Sequence, residues 1–339
     1  MRRVHYSGKY PRKFEEKYKE HNPEKYKETI EHVIAKGSTP AGMHISICVN
    51  EILDVLEIKP GERGLDCTLG YGGHTEKMLE KLCGEGHLVS LDVDTEESAK
   101  TLKRLRDKGY DENIFNVMNI NFADLDKAAN EYGKFDFVLA DLGVSSMQID
   151  NPERGFSYKI DGPLDLRLDR TKGVTAAERI MDMDADEIAG MLVENADEPY
   201  ADEIAMAIVK ARRIKPIITT TDLRRIIEDA LKFLPKDEYK DAAKKSCQRT
   251  FQALRIDINH EYEVLYTLLE KLPDVMNEGG RVAILTFHSG EDRQVKKSFK
   301  AYKKSGAYLE IAEDAIRPSA KERNDNPRSK CAKLRWAKK

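Results

Sequence analysis

From Ile45 onward, short apolar runs alternate with longer amphipathic stretches. GLDCTLG (64–70), HLVSLDVD (87–94), IFNVMNINF (114–122) and FDFVLADLG (135–143) are nearly continuous apolar segments. That pattern predicts strands buried on both faces. HTEKMLEKL, TEESAKTLKRLRDKG and ADLDKAANEYG fall between them and read as helices, with Thr75 a candidate cap and Gly109 a stop. ICVNEILDVLEI precedes the series as a further helix, ended by Lys59-Pro60-Gly61. The alternation predicts an α/β fold built on a doubly wound, mostly parallel sheet.

The alternation then pauses. Residues 145–163 are rich in turn formers, and 175–234 read as three helices, the last opened by threonines and Asp222. This predicts an inserted all-helical domain over 150–245, dividing a sheet domain into 44–149 and 246–339. The second part opens with a helix over 248–272, whose Phe251, Leu254, Ile258, Tyr262, Leu265, Leu269 and Leu272 share one face. GGRVAILTFHSG (279–290) follows as a strand, and KLRWA near the end reads as another. Residues 1–43 are polar, broken by Pro11, Pro23 and Pro40, and read as an appended arm.

Charge sharpens this organisation. The 339 residues hold 57 Lys+Arg and 60 Asp+Glu, a net charge of −3. Yet the ends are basic: ten Lys/Arg against six Glu in 1–43, and nine against two acids in 317–339. An acidic body with basic ends suits a polyanionic partner along one edge. No apolar run reaches the length of a membrane span, and the first residues lack the apolar stretch of a signal peptide. Five scattered cysteines without a C-x-x-C argue against a disulfide framework or zinc ribbon, and for a reducing cytoplasm.

The densest chemistry is Asp66-Cys67-Thr68-Leu69-Gly70-Tyr71-Gly72-Gly73-His74, between a predicted strand and helix. In an open parallel sheet, ligands bind beyond the carboxyl ends of the strands. Asp92 ends the next strand, where a carboxylate can take two ribose hydroxyls; Asp94 competes for that role. The glycine spacing departs from G-x-G-x-x-G, and Asp66 beside it would repel a pyrophosphate but could meet an ammonium. This favours S-adenosylmethionine over a nicotinamide dinucleotide. Asp141, ending the fourth strand, is a candidate for orienting an amine to be methylated; an N-cap role is the alternative. His288, in FHSGEDR, is a candidate base or stacking ring, with a structural role the default. Arg249 and Arg255 flank a helix start and could meet phosphate. No spacing suggests a bound metal.

The order DCTLGYGGHTEKML, DLGVSSMQIDNPERGFSYKIDGPLDLRLD, RTFQALRIDIN, LTFHSGEDR, NPRSKCAKLRW resembles the MraW/RsmH family over about residues 44–337. The resemblance implies a class I (Rossmann-like) methyltransferase fold with an inserted helical domain. It implies S-adenosylmethionine as cofactor and methylation of a cytidine N4 amine in small-subunit (16S) ribosomal RNA. Cofactor contacts then fall on Gly72, Gly73, His74, Asp92, Phe122, Asp141 and Gln148. RNA contacts would come from the arm, Arg249 and Arg255, and Arg317, Lys321, Arg323, Arg328, Lys330 and Arg335. Three departures stand out: Lys245-Ser246-Cys247 where the family has His-Pro-Ala, Gly290 where it has leucine, and the opening His44-Ile45-Ser46-Ile47-Cys48. With the arm, they allow for a paralogue with another RNA target, or for a cofactor-binding assembly factor that does not catalyse.

Overall fold

The computed structural model describes residues 46–339. The arm over 1–43 lies outside the described residues. Seven strands form one sheet: β1 (Arg63–Asp66), β2 (His87–Leu91), β3 (Phe115–Met118), β4 (Phe135–Asp141), β5 (Met276–Thr286), β6 (Glu310–Ile311) and β7 (Lys333–Lys338). Their order is β3-β2-β1-β4-β5-β7-β6. The first five are parallel, with Leu65 opposite both Val89 and Val138, and Val138 opposite Val282. β7 runs antiparallel between β5 and β6. This is the doubly wound, mostly parallel sheet that the sequence predicts.

Helices cover both faces. α1 (Val49–Leu56), α2 (Gly73–Leu82) and α3 (Thr95–Asp107) lie toward one face, where Ile52, Met78, Leu82, Phe115 and Phe137 share an apolar layer. α4 (Leu125–Tyr132) packs on the other, where Leu65, Val89, Val138 and Ile284 meet Leu268, Leu272 and Phe299 from later helices. β2, β4, β5 and β7 bury residues in both layers, which is why such runs read as continuously apolar. None of the described helices is long and apolar enough to cross a membrane.

After β4 come α5 (Ser146–Asp150), α6 (Ala176–Asp182), α7 (Ala185–Ala196), α8 (Ala201–Arg212), α9 (Thr220–Ala230) and α10 (Lys236–Asn259). The stretch expected as one helix over 176–196 is two. Asp184 caps α7 through a reciprocal pair with Glu187, so the first helix ends at Asp182. Thr219 caps α9, rather than Asp222. The helix expected over 248–272 also divides. His260 takes a left-handed conformation (φ 50°) between α10 and α11 (Glu261–Val275).

α10 is continuous through the expected domain boundary at 245/246. Its Cys247, Phe251, Ala253 and Leu254 lie in the same apolar cluster as Ile180, Ile188, Leu192, Ile204, Ile208, Leu223 and Ile227. The helical cluster therefore extends into residues that sequence assigned to the sheet domain. The apolar face read over 248–272 is two faces: one serves the helical cluster, and the other, from Leu265 onward, serves the sheet.

Phe251 is buried at 4% exposure within that cluster. Phe251→Ala is expected to cost about 3–5 kcal/mol in urea unfolding. Hydrogen exchange should show amide protection lost first in α7 and α8 and retained in β4.

Candidate functional site

The chain runs outward from β1 to β3 and returns to β4 beside β1, so the crossover reverses between β1 and β4. A cavity of about 640 Å³ opens at their carboxyl ends. Its walls come from the β1–α2 turn, the ends of β2 and β3, the β4–α5 turn, the α10–α11 junction and residues 326–331. The C-terminal contribution follows from strand direction. β7 is antiparallel to β5 with Lys333 opposite Thr286, so the segment entering β7 arrives at the carboxyl edge of β5.

All seven residues singled out for the cofactor line this cavity: Gly72, Gly73, His74, Asp92, Phe122, Asp141 and Gln148. Gly72 precedes α2 with φ 65°, a left-handed conformation that glycine adopts without strain, and α2 opens toward the cavity. Asp92 accepts from the amides of Gly70 (2.8 Å) and Asp94 (2.9 Å). Burial outweighs those two bonds and pushes its carboxyl up to about 6. Asp94, the competing carboxylate, is engaged elsewhere. It caps α3 by accepting from Glu97 N and pairs at 2.8 Å with Arg154. Gln148 Oε1 accepts a hydrogen bond from the Ser145 amide in the capping box of α5.

Asp66 does not face the cavity, contrary to the ammonium-binding role considered for it. It is wholly buried, and its oxygens accept from Thr75 Oγ1 (2.6 Å) and Thr68 N (3.0 Å). Thr75, read as a helix cap, is spent on that bond. Burial raises the Asp66 carboxyl despite both donors. Asp141 does face the cavity. Its amide donates to Thr68 Oγ1, its Oδ2 lies 3.3 Å from His74 Nδ1, and its buried Oδ1 has no hydrogen-bond partner among the described residues.

The basic residues divide. Arg328 and Lys330 line the mouth; Arg328 pairs with Asp150 at 2.7 Å, and Lys330 is exposed. Lys321 and Arg323 are exposed on α13 (Ala320–Asp325), and exposed Arg317 donates to the Ala332 carbonyl. Arg335 is corrected: at 5% exposure in β7 it pairs with Asp292 at 2.6 Å, so no phosphate can reach it. Arg255 borders the cavity, but its fork is taken by Glu261 at 2.7 and 2.9 Å. Arg249 is half-buried, 4.0 Å from buried Glu198. Both lie in the second half of α10, not near a helix start.

For His288 the base or stacking role is corrected, and the structural default holds. It lies off the cavity and caps α12 (Ser289–Ser305), with Nδ1 accepting the Glu291 amide and Nε2 3.1 Å from Glu291 Oε1. Burial raises Glu291, but His288, the Phe287 amide and Arg255 outweigh it and hold that carboxyl below its ordinary value. Glu261, His288 and Glu291 bring ligand-type atoms within 4.8 Å of one another, but the Arg255 fork already occupies Glu261.

Sequence reasoning gave no role to Arg154 or Asn259. Arg154 joins Asp94 to the Leu168 carbonyl at 2.8 Å. Asn259 holds Leu168 N at 2.7 Å and the Leu166 carbonyl at 2.8 Å. The available signal was their place in NPERGF and RIDIN, two stretches that carried the resemblance. The MraW methylase family matches residues 41–339.

The chain belongs to the MraW methylase family. It is 63% identical to "Ribosomal RNA small subunit methyltransferase H 1" of Agathobacter rectalis, over 99% of this chain and 97% of that one. It is 58% identical to "Ribosomal RNA small subunit methyltransferase H 2" of Alkaliphilus metalliredigens, with the same coverage of 99% and 97%. "Ribosomal RNA small subunit methyltransferase H" of Clostridium botulinum is 37% identical, over 87% of this chain and 98% of that one. Two departures from the family pattern have local explanations. A Cβ at Gly290 would stand 1.9 Å from the Tyr262 hydroxyl, so Tyr262 fills the room a leucine would need. Ser246 is buried and donates to Glu198 at 2.7 Å.

Asp92 accepts hydroxyls most strongly as a carboxylate, because protonation weakens its acceptors and turns one oxygen into a donor. Calorimetric affinity for S-adenosylmethionine is therefore expected to fall as pH drops through about 6. Asp92→Asn should weaken binding and flatten that dependence.

Proposed function

We propose that this protein transfers a methyl group from S-adenosylmethionine to the exocyclic N4 amine of a cytidine in small-subunit ribosomal RNA. The observation that carries the reading is Asp141 Oδ1, a buried acceptor without a donor, beside the glycine turn. A buried acceptor left unpaired is costly, so an incoming N–H is the fitting partner. The donor set suits the cofactor: Asp92 for ribose hydroxyls, the Phe122 ring for adenine, and the amides at the start of α2 nearby. When bound, S-adenosylmethionine supplies an electrophilic methyl on a positively charged sulfur.

Asp141 would accept a hydrogen bond from the cytidine amine. That bond would fix the direction of the nitrogen lone pair and draw off the positive charge that develops on the amine. The proton lost from the amine would be taken by the Asp141 carboxylate and released to water after the product leaves. The base must leave its stack to reach this depth. Lys330 and Arg328 at the mouth, with Lys321, Arg323 and Arg317 behind them, would hold the flanking phosphates. The helical cluster would form the opposite bank for the RNA, and the cytoplasm is the compartment that holds the substrate.

The deciding assay offers labelled S-adenosylmethionine with small subunits, large subunits and transfer RNA from cells lacking the gene. Label at one cytidine N4 of small-subunit RNA is expected; label confined to another RNA or another base would overturn the assignment. Asp141→Ala should lower turnover by about 10²–10³-fold while cofactor affinity persists. Lys330→Ala should weaken RNA binding for all sequences and reduce the salt slope by about 1.

A further inference from the structure

His74 begins the second residue of α2 with its ring wedged between two oxygens. Its Nε2 lies 2.9 Å from the Ile47 carbonyl oxygen, and its Nδ1 lies 3.3 Å from Asp141 Oδ2. Both neighbours are acceptors. A neutral imidazole has one N–H, so one of its nitrogens would aim a lone pair at an oxygen. The geometry points to a doubly protonated His74, a buried imidazolium that donates to both oxygens and ties down Asp141 Oδ2. His74 is thereby a positioning residue: it anchors Oδ2 and leaves the buried Oδ1 as the carboxylate's unpaired acceptor. That role rests on the function proposed above, whereas the protonation state does not.

The surroundings agree. The charged groups facing the ring are Asp141 from β4 and Asp66 from β1, both acidic, and the segment before α1 contributes the Ile47 carbonyl. The residue is only 7% exposed, and a lone cation there would be expelled. Burial does pull its pKa down, but Asp141, the Ile47 carbonyl and Asp66 outweigh it, and the net shift is upward. A histidine whose folded-state pKa is raised contributes stability that is fully present below the unfolded value. That contribution is lost as pH rises through the folded value.

The test uses the full chain labelled with ¹⁵N-histidine and long-range proton–nitrogen correlation spectra. Among eight histidines, His74 is identified by the signal missing from His74→Gln. Both ring nitrogens are expected to be protonated at pH 7, with a titration midpoint above that of an ordinary histidine. Asp141→Asn removes the counter-charge and should lower that midpoint by about one unit or more. One bare ring nitrogen at pH 7 in the wild-type chain would overturn the proposal, as would a midpoint unmoved in Asp141→Asn. If that variant does not fold, the wild-type spectrum decides alone. Methyl transfer should also decline as pH rises through the same midpoint. The spectra need no RNA, so a failed methylation assay would strike the functional reading and leave the ring's state measured independently.

Discussion

Three carboxylates stand close together at the carboxyl edge of the sheet: Asp66 ending β1, Asp92 just past β2, and Asp141 ending β4. Parallel pairing makes this unavoidable, because each strand delivers its last residue to the same side. Like charges this near raise one another's pKa unless each finds a different partner. The fold separates them by partner type. Asp66 is satisfied by a hydroxyl and an amide and withdrawn from solvent. Asp92 is held by two backbone amides while still bordering the cavity. Asp141 meets an imidazole on one oxygen and leaves the other, buried, without a partner. Three identical functional groups thus acquire three roles from their surroundings.

The helical cluster has its own apolar core, so its place over the cavity depends on polar ties. Arg154 and Asn259 supply them. One clamps Asp94 to the irregular stretch before α6; the other fixes that stretch, including Leu166 with φ 65°, to the end of α10. Both are largely buried contacts, where losing one partner strands the other without water. The turn that carries Asp92 and the wall opposite it are therefore mechanically continuous through Asp94, Arg154, Leu168 and Asn259.

Much of this architecture was legible in the sequence. Continuous apolar strands and intervening amphipathic helices are short-range signals, and the expected α/β sheet with helices on both faces is what formed. The glycine turn and the aspartates at strand ends marked the cavity for the same reason, since strand direction alone brings those termini together. The breaks at Asp184 and His260 were less legible. A capping pair and a single left-handed residue interrupt a helical pattern without disturbing its apolar period. The continuity of α10 was hidden because its first turns are exposed and charged, which reads as loop. Asp66 shows a different limit: position at a strand end does not say whether a carboxylate points to solvent or to a neighbouring threonine.

The basic residues show that limit most clearly. Sequence grouped Arg328, Lys330 and Arg335 as one phosphate-binding run, because charge counting is blind to partners distant in the chain. β7 sorts them. Its antiparallel course beside β5 brings the residues before it to the cavity mouth, while the strand itself is sandwiched and can hold a cation only with a partner. Asp292 provides one for Arg335 and, at 2.7 Å, for Lys333. The same strand therefore seals two positive charges into the sheet's packing and presents Arg328 and Lys330 beside Asp141's cavity. Exposed Lys330 at the rim offers a polyanion an attractive charge, while the cavity wall behind it offers the amides of the glycine turn, the Phe122 ring and the Asp141 carboxylate.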